Sequence, residues 1–187
     1  MHRSSYVLAA SVLAVLQIGC SDVGRVSEPQ SFAAASNASY SVASVVRRVE
    51  ILDACDPTSF DAVFGVGTCV RNGGRNLFDF IGEVTAKGEA GAWRFASSHI
   101  EARVGQTLLA VNNGGEKHTF TEVRQFGGGL NATLNTLSHN ETVAPECNTS
   151  VLIAAGDSQT DDLDEEGTEL YQCCIHPWMR TTVRVRS

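Results

Sequence analysis

The chain of 187 residues has no apolar run long enough to span a bilayer comfortably. Its most hydrophobic stretch, "YVLAASVLAVLQIG" (6–19), has the length of a signal-peptide core and follows His2 and Arg3. Basic residues are scarce as well: 14 Lys and Arg stand against 21 Asp and Glu, for a formal charge of −7. Loss of residues 1–19 would remove Arg3 and bring that charge to −8. Such a surface lacks the cationic patches that supply most of the affinity for nucleic acid or anionic lipid. Histidine is sparse: there are five, one of them in the leader, and none forms a His-x-His pair. That excludes a histidine-rich multinuclear metal cluster built from this chain alone. No internal repeat is visible.

What is present suffices for one ordinary domain, since 43% of the residues are apolar. Residues 1–19 read as a signal peptide, so the protein is expected to be exported. The run ends at Cys20 in "LQIGC", which is similar to a bacterial lipobox, with Gly19 in place and Gln17 where Leu is usual. Acylation of Cys20 would tether the domain to a membrane through residues 20–41, whose Ser, Ala and Asn content reads as a flexible linker. The expected location is the periplasm or the cell surface.

Periodicity divides the remainder. "VVRRVEIL" (45–52) alternates as a strand, and residues 53–74, with Pro57 and several glycines, read as a loop stapled by Cys55 and Cys69. In "NLFDFIGEVTAKG", Leu77, Phe80, Ile81 and Val84 recur at helical spacing, which predicts a short helix ending at Gly88. From residue 92 the period becomes two. Trp93 and Phe95, then Ile100, Ala102 and Val104, then "TLLAV" give successive strands with a turn at "VGQ". "HTFTEV" (118–123), "SVLIAA" (150–155), "ELYQC" (169–173) and "TTVRVR" (181–186) continue them. Many short strands with Gly-rich connections indicate an all-β sandwich or barrel. The acidic run 157–169 reads as a solvated loop or as a docking patch for a basic partner, and residues 127–146 form a longer insertion.

The chemistry concentrates in "YQCCIHPWM" (171–179), where Cys173, Cys174, His176 and Met179 place two thiols, an imidazole and a thioether within seven positions. A second imidazole, His118, follows the Gly-Gly turn of "VNNGGEKHTFTEV" (111–123) and opens a strand. One thiolate, two imidazoles and a weak axial thioether make the donor set of a blue-copper centre. Strand parity separates the two thiols: Tyr171 and Cys173 share one face, Gln172 and Cys174 the other. With Cys20 acylated and Cys173 on a metal, four cysteines remain, and three connectivities are open. Cys55 with Cys69, and Cys147 with Cys174, are the expected pairs. A vicinal Cys173–Cys174 bridge is the rival that would abolish the site. His99 and His139 have no partner at ligand spacing and read as surface residues.

On these residues the chain resembles the cupredoxins, the type 1 blue copper proteins. The Cys173, His176 and Met179 spacing is similar to the ligand loop of amicyanin, and "NNGGEKH" parallels the segment carrying the first histidine ligand of plastocyanin. The resemblance covers roughly residues 90–187. It implies a cupredoxin-like Greek-key β-sandwich over residues 89–187, with residues 42–88 as a short N-terminal helical, disulfide-stapled extension of no assigned role. It also implies one copper ion held by His118, Cys173, His176 and Met179, in a one-electron carrier that serves redox protein partners, as a monomer and not as an enzyme. A copper storage, delivery or sensory module is the alternative. Thr119 stands where plastocyanin and amicyanin often have Asn, and its hydroxyl is expected to brace the ligand loop. By the same resemblance, electrons would leave through a His176 edge lying near the surface.

Overall fold

The computed structural model describes residues 46–187, in which eight strands form two four-stranded sheets. The leader, the linker and Cys20 lie outside the described residues. Strands β1 (Val46–Leu52), β2 (Arg94–Phe95), β4 (Thr107–Asn112) and β6 (Ser158–Asp162) make the first sheet in the order β2-β1-β4-β6. Strands β3 (His99–Arg103), β5 (Thr121–Val123), β7 (Gly167–Gln172) and β8 (Arg180–Arg186) make the second in the order β3-β8-β7-β5. Both sheets are mixed: β1 runs parallel to β4 and β3 parallel to β8, and the other pairs are antiparallel. This is the all-β, two-sheet architecture expected from the sequence.

Alternation builds the core. Leu108 and Ala110 of β4, Val49 and Ile51 of β1, and Val183 and Val185 of β8 each turn one face inward. Phe120 and Tyr171 stack with ring centroids 4.4 Å apart, and Phe95 meets Phe120 edge-on at 5.2 Å. The hydroxyl of the buried Tyr171 ring lies 2.8 Å from a carboxylate oxygen of each of Asp161 and Glu169, which share its one proton.

The helical piece is present but differently placed. β1 is an inner strand of the first sheet, so the sandwich begins at residue 46, and the helices are an insertion between β1 and β2 rather than an extension ahead of the domain. Residues 53–74 are not all loop. Helix α1 (Pro57–Phe64) starts there because Asp56 accepts from the backbone N–H groups of Thr58 and Ser59, while Pro57 at the first helical position needs no partner for its nitrogen. Helix α2 (Leu77–Lys87) is capped by Asn76 and stops at Gly88, which takes the left-handed conformation at φ 76°. Phe60 of α1 and Phe80 of α2 converge on Trp93, with centroids 5.9 and 4.4 Å from it. Both expected disulfides are formed, Cys55–Cys69 and Cys147–Cys174, and Cys173 is the free cysteine among the described residues.

Two strand assignments change. "SVLIAA" (150–155) forms no strand: Ile153 makes an isolated bridge to His118 and accepts from the Asn112 side chain of β4 at 2.9 Å. The strand lies further on, at β6, inside the acidic run read as loop or docking patch. No residue of β6 is buried, so its sequence carries no apolar alternation, and the backbone ladder to β4, with side-chain hydrogen bonds from Gln159 and to Asp161, places it at a sheet edge. The insertion 127–146 carries a short helix, α3 (Ala132–Leu137), and leads into a 3-10 turn at Pro145–Thr149. It covers the outer face of β7, where Gln172 accepts from Gly127 N–H at 2.9 Å and Cys174 is buried with Val123, Ala144 and Cys147. Among the described residues no helix is long and apolar enough to cross a membrane.

The Cys55–Cys69 bridge closes a loop with a sequence separation of 14 around α1. Replacing both residues (Cys55→Ser with Cys69→Ser) is expected to cost about 3 kcal/mol, by removing a constraint on the unfolded chain. Urea unfolding monitored by circular dichroism checks this; an unchanged midpoint would contradict it.

Candidate metal centre

Three side chains meet at one end of the sandwich. Cys173 follows the last residue of β7, Met179 precedes β8, and His118 stands just before β5, which pairs with β7. The loop between β7 and β8 is tied at both ends by its own backbone: Cys173 N–H donates to Met179 O at 3.0 Å, and Met179 N–H to His176 O at 2.9 Å. Thr119 braces it from outside, as its hydroxyl accepts from Cys174 N–H at 2.7 Å and its own N–H points at Cys173 Sγ at 3.5 Å. The expectation placed on Thr119 is met.

Cys173 Sγ lies 3.7 Å from His118 Nδ1 and 3.9 Å from His176 Nδ1, and the three donor atoms fall within 4.8 Å of one another. A sulfur about 2.3 Å and a nitrogen about 2.05 Å from one ion, at trigonal angles, would be about 3.8 Å apart. The spacing therefore fits a three-coordinate site for a soft transition metal. The donors are dry: His118 and Cys173 are 0% exposed and His176 is 2% exposed. Met179, 1% exposed, is buried in the same apolar cluster as Cys173. Parity is as expected, with Tyr171 and Cys173 in the main core and Cys174 on the other face in its disulfide. His99 and His139 are exposed, and His99 pairs only with Glu101, at 3.0 Å.

The surroundings set the charge. Burial alone would raise the thiol pKa of Cys173, but hydrogen bonds from His118 and His176 and their charge outweigh it and hold the group well below the ordinary range. Burial would likewise depress His118, yet its hydrogen bonds to Asp53 and Cys173 lift it to about 9. Each group thus favours the charged form of the other across the 3.7 Å between Cys173 Sγ and His118 Nδ1. A metal held here would take the place of a proton between them.

Sequence reasoning missed the carboxylates. Asp53 Oδ2 lies 2.8 Å from His118 Nε2, with both side chains at most 1% exposed. The sheet explains the meeting: β1 and β4 run parallel with Ile51 opposite Asn112, so Asp53, two residues on, reaches the Gly114–Gly115 turn. Gly115 N–H donates to it at 2.8 Å and Glu116 N–H at 3.0 Å. A Cβ on Gly114 would overlap the Asp53 carboxylate, so this approach needs glycine at 114, while one on Gly115 would meet Cys55 Sγ and Arg71 O. Glu116 Oε2 lies 3.8 Å from His176 Nε2 and accepts from Trp93 Nε1–H at 2.5 Å. Burial raises the Glu116 carboxyl, against the lowering effect of His176 and Trp93.

The His176 edge is not at the surface as expected. Phe80, Trp93 and Trp178 surround the ring at centroid distances of 6.1, 6.4 and 5.6 Å. Trp178 is fixed by donating Nε1–H to Trp93 O at 3.2 Å. Beside this layer a cavity of about 290 Å³, lined by Phe60, Phe64, Phe80 and Leu134, reaches Glu116 and His176. Helix α2, through Phe80, covers the ring together with Trp93 and Trp178.

No protein-family model matches the chain, and no curated protein matches it. Among solved structures it is similar to a variant of amicyanin in its Cu(I) form, at 18% identity over 50% of this chain and 73% of that one, with a TM-score of 0.36. It is also similar to a purple cupredoxin from Nitrosopumilus maritimus, at 17% identity over 74% of this chain and 97% of that one, with a TM-score of 0.41.

Burial would raise the Asp53 carboxyl, but hydrogen bonds from His118, Glu116 and Gly115 hold it at about 2 against an ordinary 3.8. A depressed carboxyl stabilises the fold above the ordinary range and loses that contribution as pH falls through its folded value, here from about 4 down to about 2, for a total of about 2 kcal/mol. In the metal-free protein, the stability gap between wild type and Asp53→Asn should narrow by that amount between about pH 5 and about pH 2, as read by urea unfolding. A gap independent of pH would contradict the hydrogen-bonded pair.

Proposed function

We propose that the protein is an exported type 1 copper protein that carries one electron at a time between redox partners. The single observation that carries this reading is the buried triangle of Cys173 Sγ, His118 Nδ1 and His176 Nδ1, at 3.7 and 3.9 Å from sulfur to nitrogen. His118, Cys173 and His176 would hold the metal, and Met179, buried at the loop's end, would add a weak thioether donor. Copper bound there supplies the exchange of one electron between its two oxidation states. The chain's own part is to keep the donors still. Backbone hydrogen bonds at both ends of the 173–179 loop, the Thr119 brace and the Cys147–Cys174 bridge leave the ligands little room to rearrange, which keeps the cost of changing oxidation state low.

The same burial weighs against a storage or delivery role. Hand-off to another protein needs ligands that can be reached in turn, whereas these are at most 2% exposed. Electron transfer needs only a short path, which the aromatic layer of Phe80, Trp93 and Trp178 over His176 offers to a partner docking on that side. Catalysis at a second metal cluster is disfavoured by the sparse histidines, none in a His-x-His pair. Export, tethering through Cys20 and action as a monomer belong to the same reading.

Cu(II) added to the purified protein should produce an intense visible charge-transfer band of a copper–thiolate bond. Cys173→Ser should abolish the band. Cys174→Ser should keep it and lower the stability, because only the Cys147–Cys174 bridge is lost. A colourless wild-type protein, or two variants that both stay coloured, would overturn the assignment.

A further inference from the structure

The step taken next rests on the copper reading and concerns a residue that would not touch the metal. Asp53 is three-way anchored by backbone, accepting from the N–H groups of Gly115, Glu116 and Cys55. Its Oδ2 lies 2.8 Å from His118 Nε2, while the opposite ring nitrogen, Nδ1, faces Cys173 Sγ at 3.7 Å. The imidazole thus spans the gap between a fixed carboxylate and the donor space. An ionised carboxylate has only lone pairs to offer, so a neutral imidazole against it carries its proton on Nε2 and turns the Nδ1 lone pair inward.

We propose that Asp53 is the positioning residue of this centre: it fixes His118 as the Nε2–H tautomer with Nδ1 aimed at the metal, and sets a buried negative charge behind that ligand. The charge favours the divalent over the monovalent ion, because a buried anion interacts more strongly with the larger positive charge and is little screened there. His176 is held otherwise. Glu116 at 3.8 Å from its Nε2 is beyond hydrogen-bond range and is engaged by Trp93, so aromatic packing orients that ring. The two ligand histidines are therefore set by different means, and the inserted segment after β1 is a working part of the site.

The test compares wild type, Asp53→Asn and Asp56→Asn. Asp56 carries the same charge three residues on, at the partly exposed cap of α1. Asp53→Asn retains an acceptor oxygen for His118 but removes the charge. In the copper-loaded proteins, Asp53→Asn should shift the Cu(I)/Cu(II) equilibrium at least tenfold toward Cu(I), a rise in potential of about 59 mV, and Asp56→Asn should leave it unchanged. Equal shifts in the two variants, or none, would overturn the proposal. A second readout is independent of copper colour, and its wild-type arm needs no variant to fold. In the Zn(II)-loaded wild type, nitrogen and proton NMR should show His118 protonated on Nε2 with a slowly exchanging proton, and Asp53→Asn should speed that exchange at least tenfold. A His118 proton found on Nδ1, or exchange unaffected by the substitution, would overturn the proposal. Failure of the copper reading is distinguishable, because it shows as the absence of a charge-transfer band in the wild type while the zinc measurement still decides the role of Asp53.

Discussion

A thiol and two imidazoles share one dry space, and the rest of the molecule is arranged around keeping them there. In water three such groups would drift apart and ionise independently. Here Cys173 is held by a backbone hydrogen bond from its own loop and by the end of β7, while His118 arrives from the neighbouring edge strand, so the sheet register sets their separation. Removing water strengthens the charge interactions inside the site, so the two imidazoles lower the thiol pKa of Cys173 by more than its burial raises it.

That dryness has a structural source. The sandwich alone would leave the loop between β7 and β8 at an open end. Two additions close it: the disulfide-stapled helices between β1 and β2, which bring Phe60 and Phe80 against Trp93 and over His176, and the insertion that buries Cys174 and Gln172 on the outer face of β7. Each addition is stapled by its own disulfide, as suits small elements with modest cores of their own. The first also brings Asp53 to the back of His118, so cover and ligand support come from one segment.

Much of the site was legible because its decisive part is local. Cys173, His176 and Met179 sit within one loop, and the spacing by itself restricts which atoms can converge. Strand parity separated Cys173 from Cys174 correctly, since a two-residue period leaves no ambiguity about faces. The misses share a cause too. β6 is an edge strand with no buried residue, so nothing in its polar sequence distinguishes it from a loop. Helix α1 was hidden by its surroundings of Cys, Gly and Pro, although Asp56 followed by Pro57 is a start signal that could have revealed it. Assigning β1 to an extension failed because its partner β4 lies more than fifty residues away, across two helices.

The amino-acid order alone determined the donors, their chemistry and the β-patterned frame, because residue type and short spacing are properties of the chain. The folded arrangement decided what surrounds them. That Asp53 meets His118 across a separation of 65 residues follows from the parallel register of β1 and β4. That the His176 ring is covered follows from where α2 packs, with Phe80 joining Trp93 and Trp178 around it. Contacts between segments so distant in sequence arise from backbone pairing and burial acting together, and neither leaves a local mark on the residues that make them.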